Sequence, residues 1–226
     1  MIRVHVICEG QTEEMFVNEL LVPHFHGMGI ILHPSLLGKP GHKGGYVSFE
    51  RVLADVRLRL INDVKSYCTI FIDFYGISQK FPGYQKAAKM NQHLTKSRIL
   101  VEAMTIEIQN DVGEDAIRRF IPYVQMYEFE GLLFSEPESF ASAIGRSDLS
   151  DSLAEIRSRF RSPEEINDSS TTAPSKRILA LFSGFEKPTH GTFGAMEIGL
   201  EKIRQECPLF SGWLSAIENL SPGAST

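Results

Sequence analysis

Apolar runs alternate with amphipathic segments over the first 135 residues. Residues 3–8 form a β-branched run that ends at Glu9, and an amphipathic stretch follows over 12–22. This order predicts a strand, a tight turn and a helix. Residues 29–37 predict a second strand, and apolar residues at i, i+4 steps over 48–65 predict a second helix.

The most continuous apolar run covers residues 67–73, which is typical of a central parallel strand covered on both faces. Residues 91–109 predict a long helix. Residues 120–127 predict a fourth strand, with Pro122 near its start, where proline is tolerated. Strands that alternate with helices predict an α/β fold with a mostly parallel, Rossmann-like sheet flanked by helices.

The pattern becomes helical after about residue 135. Helical periodicity or a helix start signal is found over 150–160, 175–182 and 193–207. We therefore expect a helical part over 136–220, packed on a sheet core over 1–135. These two parts are predicted as one domain over 1–220, and a separate folding unit for the helical part is the alternative.

Three segments are predicted to lie outside regular structure. Residues 38–45 contain four glycines and a proline, so they predict a loop. Residues 162–175 contain two prolines and a polar run, which predicts a surface loop and a candidate lid. Residues 221–226 predict a disordered tail.

Composition narrows the class of protein. Hydrophobic residues make up 42% of the chain and charged residues 23%, as in ordinary folded domains. The formal charge of -5 repels polyanions on average, so any nucleic-acid contact requires a local basic patch or a metal. Apolar stretches are far shorter than the roughly 20 residues of a membrane span, so we expect no membrane segment and no signal peptide.

The chain has three cysteines, Cys8, Cys68 and Cys207. Their odd number and their spacing match neither a disulfide framework nor a zinc knuckle. The cysteines therefore predict buried, reduced thiols in a cytoplasmic protein.

Acidic residues follow three of the predicted strands: Glu9 follows the first, Asp73 ends the third, and Glu128 and Glu130 end the fourth. Ligands of open α/β sheets bind outside the carboxyl ends of the strands. Carboxylates that meet there repel each other unless a divalent cation neutralises them. Because oxygen ligands favour Mg²⁺ or Mn²⁺, these four residues are predicted metal ligands.

Glu13 lies in the first turn of the helix predicted after Glu9. Its carboxylate there favours the helix macrodipole or takes part in a capping box. A second interpretation places it beside the metal. The sequence leaves both open.

Five segments together carry a resemblance, namely 6–14, 71–76, 127–134, 173–177 and 197–204. They resemble a bacterial family of unknown function with a TOPRIM-like fold and, more distantly, the nuclease domains of OLD-type enzymes. In those domains a strand-ending glutamate and an aspartate after the central strand hold catalytic metals. TOPRIM domains occur in primases, topoisomerases and nucleases, so the resemblance implies chemistry on phosphodiesters.

The resemblance also implies roles for single residues. Glu9 corresponds to the glutamate of the first motif, Glu13 to the second acidic member of the nuclease branch, and Asp73 to the first aspartate of an Asp-x-Asp motif. The second aspartate position holds Tyr75, a departure that speaks against a two-metal mechanism. Glu128 and Glu130 are the candidates to replace that ligand.

A phosphate also needs basic groups. Lys176, at a predicted helix start, is a candidate to contact a phosphate oxygen together with the helix N–H groups. Residues 39–43, Lys187 and His190 are weaker candidates of the same kind. The aromatic side chains after the third strand either stack on bases or form a small loop core; they are Phe74, Tyr75, Phe81 and Tyr84.

The leading hypothesis is a Mg²⁺-dependent phosphodiester-processing enzyme, in the first place a nuclease acting on DNA or RNA. Glu9, Asp73 and one or both of Glu128 and Glu130 would bind metal. Lys176 would stabilise transition-state charge, and Glu13 would orient a water or assist proton transfer. Topoisomerase activity is not expected, because it would require additional domains with a nucleophilic tyrosine and a DNA gate.

Two alternatives remain at this point. The first is a non-catalytic or nucleotide-binding regulatory module. The resemblance implies that it would work with a partner ATPase of the AAA or SMC-like type, in a phage-defence or DNA-transaction system. The second is a phosphotransfer enzyme that acts on a nucleotide. The sequence does not predict the oligomeric state.

Overall fold

The computed structural model describes residues 1–38, 46–167 and 171–220. The basic candidates at 39–43, most of the 38–45 loop and the tail at 221–226 lie outside the described residues. Part of the predicted lid, residues 168–170, lies outside them as well.

Four parallel strands form one sheet: β1 (Ile2–Cys8), β2 (Ile30–Leu36), β3 (Ser66–Phe71) and β4 (Phe120–Ile121). Their order is β2-β1-β3-β4, so β1 and β3 are central. β1 pairs with both neighbours in parallel, and β3 pairs with β4 in parallel. The predicted α/β class with a parallel, Rossmann-like sheet flanked by helices is confirmed.

Helices follow the strands. Those up to residue 117 are α1 (Gln11–Phe16), α2 (Val22–His26), α3 (Phe49–Asn62), α4 (Tyr84–Ala87), α5 (His93–Val112) and α6 (Glu114–Ile117). A π-helical segment, Val17–Leu21, joins α1 to α2. The side chain of Ser48 caps α3 by accepting a hydrogen bond from the Arg51 N–H. The apolar positions Val52, Val56 and Leu60 of α3 are buried, as their spacing predicts.

The remaining helices are α7 (Pro137–Ala143), α8 (Ser150–Ser158), α9 (Pro174–Leu181), α10 (Lys187–Ile198), α11 (Leu200–Glu206) and α12 (Pro208–Glu218). Short 3₁₀ helices occur at Phe129–Ser135, Ser147–Leu149 and Pro163–Glu165. No helix within the described ranges is long and apolar enough to cross a membrane.

The chain divides into two compact units. Unit 1 takes in the described residues of Met1–Ile72, Gly76–Val124 and Trp213–Thr226, and unit 2 takes in Asp73–Tyr75 and Gln125–Gly212. All four strands belong to unit 1. The assignment of residues 1–220 to one domain stays a prediction.

The core of unit 1 is built on aromatic rings over β3. Trp213 stacks on Tyr123 with ring centroids 4.5 Å apart and contacts Phe71 at 5.1 Å. The indole N–H of Trp213 donates to Thr69 Oγ1 at 2.8 Å, and that hydroxyl donates to the Ile121 carbonyl. The polar handle of the buried tryptophan is therefore satisfied.

Close packing in unit 2 depends on Gly194 of α10. A Cβ atom at this position would lie 2.5 Å from a ring carbon of Phe140 on α7. Real Cβ atoms do not approach so closely, because the two atoms would overlap. Gly194 thus allows α10 to lie directly against α7.

Three expectations are corrected. The fourth strand ends at Ile121 rather than at 127, and beyond it only an isolated bridge joins Gln125 to Asp73. The helix predicted over 193–207 is broken at Gly199, which has a φ of 82° that favours glycine. The predicted surface loop begins with buried residues, including Glu164 at 1% exposure.

The three cysteines are buried and free, as the sequence predicts. Burial raises the pKa of each thiol, so none is a thiolate near neutral pH.

Candidate functional site

Glu9 lies in unit 1, directly after β1. Its N–H donates to the Phe71 carbonyl at 2.9 Å, so the carboxyl ends of β1 and β3 lie side by side. In a β2-β1-β3-β4 sheet this pair of strands is the topological switch point, where ligands of such sheets bind. The Glu9 carboxylate lies against the backbone of Gly76, since a Cβ atom there would overlap both carboxylate oxygens.

Glu13 is also in unit 1, and its side chain is buried in the first turn of α1. Its Oε2 accepts a hydrogen bond from the Gly10 N–H at 2.9 Å. This is the acidic half of a capping box. Of the two interpretations that the sequence left open for Glu13, the capping role is the one observed. A role beside a metal stays a prediction.

Asp73 begins the short first segment of unit 2 and is 8% exposed. The Phe74 N–H donates to the Gln125 carbonyl at 2.8 Å, and the Tyr75 N–H donates to the Tyr127 carbonyl at 3.0 Å. These bonds align residues 73–75 with residues 125–127. The segment that carries Asp73 is therefore fixed beside the segment that leads to Glu128.

Tyr127 has the backbone conformation that turns the chain toward Glu128. Its φ is 63°, and within the described ranges Tyr127 is the only non-glycine residue with a positive φ. Bulky residues rarely adopt this conformation, and it costs about 1–3 kcal/mol. The buried ring of Tyr127 packs on Phe74 and Tyr75, and both tyrosine hydroxyls hydrogen-bond to Asn167. Packing and hydrogen bonds thus hold a strained residue immediately before Glu128.

The carboxylate of Glu128 accepts a hydrogen bond from the Ser175 N–H at 2.8 Å. Ser175 lies in the first turn of α9, where backbone N–H groups lack partners within the helix. The sequence-based hypothesis assigned these donors to a phosphate, but the Ser175 N–H is directed at Glu128. Lys176 follows in the same turn and is exposed.

Glu130 and Lys187 form the best-defined ion pair of unit 2. Lys187 Nζ lies 2.9 Å from Glu130 Oε1 and 3.9 Å from Glu128 Oε1. The side chain of Glu130 is 1% exposed, whereas that of Lys187 is 43% exposed. The ion pair therefore joins a buried carboxylate to the side chain of a partly exposed lysine.

The charges in this cluster perturb each other. Burial raises the pKa of Glu130, and the Lys187 charge opposes that effect. Burial lowers the pKa of Lys187, but Glu130, Glu128 and Asp73 outweigh it and raise that pKa above its ordinary value. Lys187 is consequently a fixed cation near neutral pH and does not act as a base.

One oxygen of Glu130 is not used by the fold. Oε2 is buried and has no hydrogen-bond partner among the side-chain and backbone groups that the structure describes. A buried acceptor without a partner is costly, with a penalty of about 1–3 kcal/mol. Such an atom points to a ligand, and the acid cluster of Asp73, Glu128 and Glu130 outnumbers its single lysine.

The predicted metal ligands do not form a complete protein cage. Within residues 1–38, 46–167 and 171–220, no group of three or more His, Cys, Asp or Glu side chains is placed to hold a metal ion. Mg²⁺ is often bound by one or two carboxylates together with substrate phosphates. A metal ion at these carboxylates therefore stays a prediction.

The other basic and aromatic candidates mainly serve the fold. His190 Nδ1 accepts a hydrogen bond from the Glu186 N–H at the start of α10. Phe81 is buried against Phe49, and Phe74 is buried against Tyr127, so the small-core interpretation holds for both phenylalanines. Tyr75 and Tyr84 are half-buried, and for them both interpretations stay predictions.

Sequence reasoning ranked Lys187 low, and it did not single out Tyr127, Asn167 or Glu164. One signal for Lys187 was available, because a lysine at the start of a helix opposes the macrodipole. A cation is retained there when carboxylates compensate it. Nothing in the sequence indicated which carboxylates these were.

Comparison with known proteins gives a family without an assigned activity. A family model described as a domain of unknown function, DUF4276, matches residues 8–218. Neither the curated proteins nor the solved structures contain a match. The TOPRIM-like and OLD-type resemblance stays a prediction.

Proposed function

Because the chain belongs to the DUF4276 family, whose description names no activity, we propose its function from the geometry of unit 2. The proposal is a Mg²⁺- or Mn²⁺-dependent enzyme that hydrolyses phosphodiester bonds in nucleic acid. It rests on Asp73, Glu128, Glu130 and Lys187, all in unit 2. The contribution of Glu9 stays a prediction from the sequence.

The observation that supports the proposal most strongly is the Glu130–Lys187 pair. A nearly fully buried carboxylate is paired with a partly exposed lysine, while its second oxygen lacks a hydrogen-bond partner among the described residues. A structural ion pair would be expected to satisfy both oxygens. The pair is therefore better suited to positioning a charge for a ligand.

Each residue of the proposed site is assigned a role in the reaction. One or two of the carboxylates of Asp73, Glu128 and Glu130 would bind a metal ion shared with the substrate. When bound, that ion would polarise the phosphate and lower the pKa of an attacking water. Lys187 remains protonated and offsets negative charge on a non-bridging phosphate oxygen. Lys176, exposed on the first turn of α9, is assigned a second phosphate contact.

Glu13 is left out of the chemistry, because its buried carboxylate caps α1. Tyr75 occupies the position of the second motif aspartate, and its hydroxyl is bonded to Asn167 at 2.6 Å. A phenol in that bond does not replace a carboxylate ligand. The proposal therefore requires one metal ion and not two.

A specific observation favours the alternative of a regulatory module. Glu128 already caps α9 through the Ser175 N–H, and Lys187 already neutralises Glu130. These contacts would stabilise unit 2 without any catalysis. In that case the chain would work with a partner ATPase of the AAA or SMC-like type and bind a nucleotide or nucleic acid.

Purified protein incubated with plasmid, single-stranded DNA and RNA tests the proposal. Mg²⁺, Mn²⁺ and a chelator are compared for the wild type, Asp73→Asn, Lys187→Gln and the matched control Glu138→Gln. Glu138 is an exposed acid of unit 2 in the first turn of α7. Thermal melting of each variant establishes that it is folded.

Metal-dependent cleavage that is lost in Asp73→Asn and Lys187→Gln, but kept in Glu138→Gln, supports the proposal. We expect each site variant to lose about 100-fold or more in rate, as for the removal of one charge-stabilising group. Cleavage that persists in both folded site variants contradicts the assigned residues. No cleavage of any substrate favours the partnered module.

A further inference from the structure

An open pocket lies in unit 1, where the C-terminal end of α3 covers the middle of β1. It has a volume of about 240 Å³ and is lined by His5, Leu58, Arg59, Asn62 and Asp63. Three of these residues offer N–H donors. We propose that this cavity binds a phosphate dianion, supplied either as inorganic phosphate or as the terminal phosphate of a nucleotide.

The only carboxylate among the described residues that line this cavity is already compensated. Asp63 Oδ1 lies 2.6 Å from a guanidinium nitrogen of Arg3, and this contact lowers the pKa of Asp63. Arg59 then supplies a cation in excess. Its guanidinium donates to Ser35 Oγ at 3.2 Å, which holds it toward the sheet. A guanidinium fixed in this way matches the geometry of a phosphate.

The end of α3 does not repel an anion as a bare helix C-terminus would. Arg119 donates to the carbonyls of Leu60, Asp63 and Ser66 at 2.7–3.1 Å. The negative partial charge of the last turn is therefore offset by a cation. Around this end of α3, Arg3, Arg59 and Arg119 carry positive charge and Asp63 carries negative charge, although the whole chain has a net charge of -5.

His5 lines the pocket, and its charge changes with pH. His5 on β1 pairs in register with His33 on β2, and the ring centroids are 5.6 Å apart. His5 Nε2 lies 3.5 Å from Asp63 Oδ2, which is too long for a strong hydrogen bond. The ring nitrogen is therefore able to donate to an incoming anion once it is protonated.

The groups that face His5 determine its charge. They are Arg3 on β1, His33 on β2, Arg59 and Asp63 on α3, and the buried Cys68 on β3. Burial lowers the pKa of His5, Asp63 opposes this shift, and Arg59 and His33 add to it. A bound dianion favours the protonated imidazole, so binding of the dianion raises the pKa of His5.

The inference is independent of the proposed nuclease activity, because none of its residues belongs to unit 2. It can be tested by NMR titration of the His5 and His33 ring signals. The full chain is titrated with inorganic phosphate, 5′-AMP and adenosine, at about pH 6 and about pH 8 on either side of the ordinary histidine pKa. Adenosine lacks the phosphate and is the ligand control.

The variants are Arg59→Met, Asn62→Asp and the matched control Arg57→Met. Arg57 is also on α3, but it is exposed and paired with Asp111. Asn62 is an exposed residue, so Asn62→Asp keeps the test valid if Arg59→Met does not fold. We expect both pocket variants to weaken phosphate binding about tenfold or more, as for the loss of a charge-assisted hydrogen bond. We expect Arg57→Met to stay within about twofold of the wild type.

We expect phosphate and 5′-AMP to shift the His5 ring signals and to raise the pKa of His5, and adenosine to leave both in place. If 5′-AMP binds more tightly than phosphate, the source is a nucleotide; equal affinity indicates the free anion. Unmoved ring signals, or unchanged binding in Arg59→Met and Asn62→Asp, would overturn the proposal.

Discussion

Two buried carboxylates of unit 2, Glu130 and Glu164, have the same exposure but different surroundings. Each is 1% exposed. Glu164 accepts hydrogen bonds from the Leu209 and Phe210 N–H groups at 2.9 and 2.8 Å, where α12 begins. Glu130 has Lys187 at one oxygen and no hydrogen-bond partner for the other among the described residues.

The difference separates a structural acid from a candidate functional one. Both oxygens of Glu164 are used to cap a helix, so its role is complete within the fold. Glu130 leaves one oxygen unused and holds a cation at the surface. The distinguishing feature is the satisfaction of each oxygen, since burial alone does not distinguish the two residues.

The largest expected effect follows from removing the partner of Glu130. Lys187→Met leaves a buried carboxylate without its cation, and we expect a loss of about 3 kcal/mol in unfolding free energy. This is the low end of the range for buried pairs, because Lys187 is 43% exposed. Urea denaturation measures the change. The double variant Glu130→Met with Lys187→Met should recover most of it; failure to recover would argue against a direct pair.

The second effect is a pH dependence that belongs to Glu164. Burial raises the pKa of Glu164 from its ordinary value to about 7, although two N–H groups oppose the shift. At pH values between the pKa of Glu164 in the unfolded chain and this value, the folded chain binds more protons than the unfolded chain does. Stability is therefore fully present at lower pH and falls as the pH rises toward about 7, by on the order of 2 kcal/mol.

Glu164→Gln should flatten this part of the profile, since the amide does not titrate. Melting temperatures across the range measure the slope for both proteins. The Glu130→Gln variant is the comparison, because it keeps Glu164. An identical slope in the wild type and in Glu164→Gln would mean that Glu164 does not cause the dependence.

A smaller effect concerns the segment that leads to Glu130. Tyr127→Phe keeps the packed ring but removes the hydroxyl contact with Asn167. We expect a loss of about 1 kcal/mol, the usual value for one hydrogen bond. Urea denaturation tests it, with Tyr46→Phe as the control because Tyr46 is 73% exposed. Equal changes in both variants would show that the Asn167 contact contributes nothing.

The smallest effect is expected at Glu13, a third buried carboxylate, which resembles Glu164 in capping a helix. Its Oε2 accepts from the Gly10 N–H, and glutamine serves equally well at this position of a capping box. Glu13→Gln should change the unfolding free energy by less than about 0.5 kcal/mol. A thermal melt measures it. A clearly larger loss would mean that the negative charge itself is needed.

The sheet could be predicted well because its signals are local. β-branched and apolar runs predicted β1, β2 and β3 to within a few residues, and the i, i+4 pattern predicted α3. The fourth strand was predicted too long. The residues beyond Ile121 have a propensity for extended backbone, but of residues 122–127 only Gln125 forms a further bridge. How far a strand pairs depends on its neighbour in the sheet, and the local sequence pattern does not show this.

The candidate site could be predicted only in part. The acids Glu128 and Glu130 were found, since they follow an apolar run. Lys187 was ranked low and its pairing with Glu130 was not predicted, because that contact joins positions 57 residues apart through the packing of α10. The cap formed by the buried Glu164 was missed for the same reason, because its partner Leu209 lies 45 residues away in the sequence. Long-range pairs of this kind arise from tertiary packing and leave no local pattern.

The account is tested most directly by comparing the cleavage rates of Glu130→Gln and Glu164→Gln near neutral pH, with both variants shown to be folded. It predicts that Glu130→Gln loses about 100-fold or more in metal-dependent cleavage, while Glu164→Gln stays within a few-fold of the wild type. The reverse order, or equal rates in both variants, would contradict the claim that the carboxylate with the unused oxygen marks the functional site.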